Sequence, residues 1–246
     1  MAFIKKHFSL PQPNFGRSKL QKSLEPYKNS VYYLWWRFLQ LNEDYQKCCK
    51  NGGSGKMKQI YADFGNIFAS DFKTWWQTGD LGAELFAEQL PPEFKVISAS
   101  EASDREGVLI VQVPLTLPKR YLASNFQKIL NAHHSGRRGV RTNKLSSAKY
   151  PITGHVDTAA LQKCLRVYEL RLADPKKQLW KVAQEAKAAS PKNYIIDEKT
   201  EHKSVHVAKK LILANTAKRL LNRAQRIVKG TSMGMFPLVQ NGTVKK

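Results

Sequence analysis

"SVYYLWWRFLQLNEDYQKCCKNGG", residues 30–53, decides how this chain folds. Val31, Leu34, Trp35, Phe38, Leu41, Tyr45 and Cys48 recur there at three- and four-residue steps, the spacing of one helix face. Ser30 is a residue type that caps helix N-termini, and Gly52 can take the left-handed conformation that ends a helix. The spacing therefore predicts one continuous helix. Its aromatic stripe reads as core, because Trp, Tyr and Phe bury large areas when they line one face. Cys48 and Cys49 would sit at the buried end of that stripe.

Outward from this helix, the first 28 residues hold three of the eleven prolines and read as an irregular basic lead-in. Downstream, residues 56–92 read as short helices broken by Gly65, Gly79 and Pro91, with Asp71 and Asp80 placed as caps. "FKVISAS" and "GVLIVQVPL" flank the polar turn "EASDRE" and are rich in β-branched residues, which predicts an antiparallel hairpin. After Pro118 the helical spacing returns in "KRYLASNFQKILNAH", "DTAALQKCLRVYELRLA", "KKQLWKVAQEAKAA" and "SVHVAKKLILANTAKRLLNRAQRIVKG". The expected fold is mainly α with a small antiparallel β-hairpin. Its expected parts are a lead-in over 1–28, an aromatic-rich helical region over 29–117 ending in the hairpin, a basic helical region over 118–237, and a flexible tail over 238–246.

Charge sets the class of partner. Lys and Arg number 41 against 19 Asp and Glu, a net charge of +22. Residues 107–246 hold 27 basic and seven acidic side chains, whereas residues 56–106 hold five and nine. Between Gly107 and Gly154 there are eight basic residues and no carboxylate. A merely solvated surface mixes both signs, so this segregation points to nucleic acid or an anionic membrane surface. The longest apolar run, "VLIVQV", is far short of the ~20 residues that span a bilayer, and the N-terminus has no secretory pattern. Three cysteines, two of them adjacent, suit a reducing cytoplasm rather than a disulfide framework or a zinc site. The expectation is a cytoplasmic protein with no membrane partner.

Two basic elements stand out. In "NAHHSGRRGVRTNK", residues 131–144, His133 and His134 would point about 100° apart on a helix and cannot easily share an ion. With only His155 nearby and no carboxylate, no metal or other cofactor is assigned. Arg137, Arg138, Arg141, Lys144 and Lys149 would project from a glycine-containing loop flanked by Lys119 and Arg120. Guanidinium forks suit phosphate oxygens and guanine edges, and Ser146 and Ser147 could add neutral phosphate contacts. A solvated cationic loop is the alternative. The second element is the last helix. There Ala217, Leu220, Leu221, Ala224, Ile227 and Val228 share one face, and Lys218, Arg219, Asn222, Arg226 and Lys229 share the other, with Arg223 at the border. Lys209 and Lys210 extend the run. Such a helix fits a major groove or a phosphate backbone. A membrane-surface helix fits less well, because the apolar face has no aromatic residue.

"KKQLWKVAQEAKAA" resembles the first helix of a helix-turn-helix in Leu179, Val182, Ala183 and Ala186. "SPKNYIIDEKTEHK" follows where a 3–4-residue turn belongs, so the motif is divergent or not there. The nucleotide-binding, hydrolase and zinc-protease signatures are missing. Glu93 and Lys95, with Asp80 upstream, echo the carboxylates and lysine of metal-dependent nucleases.

"YYLWWRFLQLNEDY", "IYADFGNIFASDFKTWWQTGDLGAELFAE", "VPLTLPKRYLASNFQKIL", "SSAKYPITGH" and "AQRIVKGTSMGMFP" resemble landmarks of a family of bacterial proteins associated with genomic islands, prophages and other mobile elements. The resemblance covers most of residues 30–237. It implies a nucleic-acid transaction or a viral or satellite role, and it assigns no residue a part in chemistry. Together these readings predict a non-catalytic DNA-binding regulator or accessory factor of a mobile element, with DNA favoured over RNA and room for a homo-oligomer. A phage or satellite assembly protein and a metal-dependent nuclease are the alternatives.

Overall fold

Ser30 caps a shorter helix than the spacing predicts. Its hydroxyl accepts hydrogen bonds from the Tyr32 and Tyr33 amides, and α1 spans Val31–Gln40. The chain breaks at Leu41 and restarts at Asn42, whose side-chain oxygen accepts from the Tyr45 amide and opens α2, Glu43–Lys50. Glu43 and Asp44 occupy its first turn, where carboxylates suit the helix dipole. Asn42 is itself buried, and its amide nitrogen donates to the Val228 carbonyl at 3.0 Å. Two helices thus replace the single one, and their junction is tied to the far end of the chain.

The computed structural model describes residues 6–16, 25–78, 81–88, 109–133, 146–153, 156–189, 196 and 202–237. They belong to two compact units, Met1–Gln89 with Ser146–Lys246, and Leu90–Leu145. Pro118, where the sequence suggests a division, falls inside the second unit. That unit contains α6, Lys119–His133, none of whose residues is fully buried.

The first unit continues from α2 with α3, Lys58–Phe64, α4, Phe72–Gln77, and α5, Leu81–Phe86. Asp71 caps α4 by accepting from the Thr74 amide at 2.7 Å, as its position predicts. Asp157 does the same for α7, Thr158–Ala173, through the Ala160 amide. Then come α8, Leu179–Glu185, and the long α9, Lys203–Thr231. The mainly helical expectation holds.

The β-hairpin is not confirmed. Residues 89–108, which include its first strand and turn, lie outside the described residues, and 109–113 form no strand. The sheet among the described residues is elsewhere. Ile152–Thr153 (β1) pairs in parallel with Phe236–Pro237 (β2), Ile152 opposite Phe236, and the Phe236–Pro237 bond is cis. A helix-turn-helix is likewise not confirmed, because residues 186–202 separate α8 from α9.

Around α1 the core is aromatic. Val31, Tyr32, Leu34, Trp35, Trp36, Phe38 and Leu39 are all buried, so this helix is apolar on nearly every side, as a central helix must be. Trp35 stacks on Phe236 with centroids 5.2 Å apart and meets Phe86 and Tyr150 edge-on at 5.1 and 5.8 Å. Gly234 makes room for the Tyr150 ring. Its φ is +66°, and a Cβ there would lie 2.9 Å from that ring. A second cluster joins Val167 of α7, Val182 and Ala183 of α8, and Leu213, Ala217 and Leu221 of α9. Ala183 and Ala217 are fully buried, and such small side chains let α8 and α9 approach closely.

Asn42→Ala removes both a cap and the bond to Val228, and should cost about 2 kcal/mol in urea unfolding. Asn42→Asp keeps the cap acceptor but sets a carboxylate against the Val228 carbonyl. It should be as destabilising as alanine; full stability of the Asp variant would show that the Val228 bond contributes little.

Candidate nucleic-acid interface

From Ala217 to Lys229, α9 divides as a 100° step requires. Ala217, Leu221, Ala224, Ile227 and Val228 are buried, and Leu220 is half-buried. Lys218, Arg219, Asn222, Gln225, Arg226 and Lys229 are exposed, with Arg223 half-buried at the border. The apolar side packs toward α1 and α7 and joins the two core clusters, which fixes the cationic side outward. At 1.5 Å per residue this face is about 17 Å long.

No Asp or Glu occurs anywhere in α9. Lys218, Arg219, Arg223 and Lys229 form no ion pair among the described residues. Arg226 Nε donates to the Asn222 carbonyl at 3.3 Å, which holds its guanidinium along the helix. A row of cations on a helix without carboxylates raises a positive potential over that surface. Asn222, Gln225, Arg226 and Lys229 line a shallow, open depression of about 430 Å³. Asn222 is on the outer face where the sequence puts it, and Gln225, which carries no charge to mark it, joins it there. Their carboxamides carry a donor and an acceptor together, the pattern that reads adenine edges. The signal for them is spacing, since 222, 225, 226 and 229 follow three- and four-residue steps.

Lys209 and Lys210 do not share that face. Both are half-buried, and the 100° step puts Lys209 in line with the buried Ile227. Lys210 Nζ lies 4.9 Å from the centre of the Trp180 ring, with Lys181 Nζ at 5.5 Å. The Lys210 ammonium thus serves a cation–π contact between α9 and α8.

The loop residues Arg137, Arg138, Arg141 and Lys144 lie outside the described residues, as do His134, His155, Asp80, Glu93 and Lys95. Lys119 and Arg120 are exposed in the first turn of α6, in the second unit. Lys149 is placed differently, its Nζ lying 2.6 Å from Asp63 Oδ1. Asp63 Oδ2 accepts from the Tyr150 hydroxyl at 2.6 Å, and burial together with that carboxylate pushes the Tyr150 phenol up.

Ser146 and Ser147, expected as phosphate contacts, already hold an anion. The Ser146 hydroxyl donates to Glu88 Oε1 at 2.6 Å, and the Ser147 amide and hydroxyl donate to Oε2 at 2.8 and 3.2 Å. The Ala148 amide adds a fourth bond at 3.2 Å. Burial alone would raise the Glu88 carboxyl, but these donors outweigh it and hold it below the usual carboxylate range. One end of the basic stretch is therefore matched to front-half acids, whereas Lys218, Arg219, Arg223 and Lys229 of α9 form no ion pair among the described residues.

Other chemistry finds little footing among the described residues. Cys48, Cys49 and Cys164 are free. Burial pushes the Cys164 thiol up, while the nearby Arg223 and Arg219 guanidiniums pull it the other way. No group of His, Cys, Asp and Glu is arranged to hold a metal ion among the described residues, and none of their helices is long and apolar enough to cross a membrane. No protein-family model, curated protein or solved structure matches this chain.

A carboxylate held below its ordinary value contributes stability above the unfolded value, ~4.3 for Glu, and loses it as pH falls through the folded one. Glu88→Gln should therefore cost about 1–2 kcal/mol at pH 7. The gap from wild type in thermal unfolding should close toward pH 3. A gap that stays constant with pH would show that the Glu88 charge contributes nothing.

Proposed function

We propose that this chain is a non-catalytic DNA-binding protein, a regulator or accessory factor of a mobile genetic element, that grips the phosphate backbone through the outer face of α9. One observation carries this reading: Lys218, Arg219, Arg226 and Lys229 are exposed on one face of a carboxylate-free helix whose other face is locked into the core. Polar groups on a packed helix keep their geometry when a ligand arrives, so little ordering entropy opposes binding. An exposed helix fits the ~12 Å major groove of B-form DNA and is excluded from the narrow one of A-form RNA. That fit favours DNA. Asn222 and Gln225 lie among the cations where base edges would come within reach. Arg137, Arg138, Arg141 and Lys144 form a second cationic segment in the sequence, and Lys119 and Arg120 open α6. The link to a mobile element rests on the motif resemblance alone.

Five cations from α9 meeting phosphates would make log K fall against log salt with a slope of about −4.5. In fluorescence anisotropy with a duplex, the double substitution Arg219→Ala and Arg226→Ala should weaken binding and flatten that slope by about 2. An unchanged affinity and slope would reject the α9 face. Replacing Arg137, Arg138 and Arg141 by alanine tests the loop separately, and should flatten the slope by about 3 if all three meet phosphates.

A further inference from the structure

The outer face of α9 is not uniformly cationic. Asn215, Asn222 and Gln225 are exposed on it, and their carboxamides form no hydrogen bond among the described residues. In α6, by contrast, the Gln127 amide donates to Asn131 Oδ1 at 3.1 Å, and in α7 the Gln162 amide donates to Asn29 Oδ1 at 2.7 Å. A 100° step sets the neighbours of Asn222 symmetrically about it. Arg226 and Arg219 lie about 40° and 60° to one side, Lys218 and Gln225 about 40° and 60° to the other. Asn215 and Lys229 fall within about 20° of the centre line. Two asparagines thus run along the middle of the face, with long cations on both edges and Lys229 at the C-terminal end.

We propose that α9 reads DNA sequence: Asn222, together with Asn215, recognises adenine on the major-groove edge of the duplex. Such recognition rests on the DNA reading above and adds specificity to it. A face that met phosphates alone would gain nothing from neutral amides along its middle. In a major groove ~12 Å wide, a helix ~10–12 Å across has phosphate walls at its flanks and base edges beneath its centre line. The long Arg and Lys side chains on the two edges reach the walls, and the short asparagines face the bases. Oδ1 of Asn222 accepts from the adenine N6 amino group while its Nδ2 donates to N7. No other base presents that donor and acceptor together on this edge.

Spacing sets the register. Asn215 lies seven residues before Asn222, ~10.5 Å along the helix. Base pairs stack ~3.4 Å apart, so the two side chains address adenines roughly two to three base pairs apart. Arg226 Nε bonds the backbone carbonyl of Asn222, at 3.3 Å, and not its side chain. That bond holds the guanidinium to one flank and leaves the carboxamide to a base.

Selection of duplexes from a random-sequence pool by the full chain, followed by sequencing, tests the proposal. Adenines should be enriched at two positions roughly two to three base pairs apart. Asn222→Ala should lower the affinity ratio of the enriched duplex over a random one about tenfold. Its side chain is exposed, so circular dichroism of the variant should match that of the wild type. Placing 7-deazaadenine, which lacks the N7 acceptor, at the matching position should lower the wild-type ratio and add nothing to the loss in the variant. Binding that follows salt but enriches no adenine overturns the proposal and leaves the DNA reading standing. Enrichment that Asn222→Ala leaves intact overturns it as well. A chain that binds no duplex in fluorescence anisotropy overturns both.

Discussion

The Trp35 indole is the contact on which the fold depends. It joins α1 to the end of α5 through Phe86, to the segment before β1 through Tyr150, and to β2 through Phe236. These partners come from widely separated parts of the chain, so one buried ring closes several long loops at once. Its cost is visible. The Nε1 groups of Trp35 and Trp36 are buried without a hydrogen-bond partner, a penalty of about 1–3 kcal/mol each. Each ring buries about 150–250 Å², which at 25 cal/mol per Å² contributes roughly 4–6 kcal/mol. Burial wins, and the aromatic centre tolerates an unpaired N–H.

This explains why four of the five distinctive stretches of the sequence are distinctive. "YYLWWRFLQLNEDY" supplies Trp35, "IYADFGNIFASDFKTWWQTGDLGAELFAE" supplies Phe64 and Phe86, "SSAKYPITGH" supplies Tyr150, and "AQRIVKGTSMGMFP" supplies Phe236. All five rings belong to one core cluster. The conspicuous residues hold the molecule together, and the candidate function lies in quieter ones. α9 shows the division of labour within a single element. Ala217, Ala224 and Ile227 lock it in place, and Arg219, Arg226 and Lys229 on its back are what a partner would meet.

Local periodicity carried most of the helical reading. α6 and α7 lie where three- and four-residue spacing puts them, and the two faces of α9 over 217–229 follow the 100° step. The break at Asn42 was masked by an unbroken apolar stripe, although Asn followed by Glu and Asp is itself a capping signal. Pairing of β1 with β2 could not be read locally, because its two dipeptides are short and far apart in the chain. A β-branched run such as "VLIVQV" has strand propensity without specifying a partner. Composition groups Lys209 and Lys210 with the outer cations, and the helical wheel extended backwards from Ala217 separates them. Ser146 and Ser147 offered hydroxyls to an anion, but only tertiary structure shows that the anion is Glu88.

The Glu88 bonds also bear on how such a chain can change over generations. The first unit is made of two stretches of chain, one ending at Gln89 and the other starting at Ser146, and the Glu88 carboxylate joins them. Residues 90–145, the second unit, are thus inserted between two points that the first unit holds together through its own side chains. Closing a loop costs only about 0.6 kcal/mol more for each doubling of its length. Recombination that lengthens, shortens or exchanges the inserted unit would leave the Glu88 bonds to Ser146 and Ser147 in place.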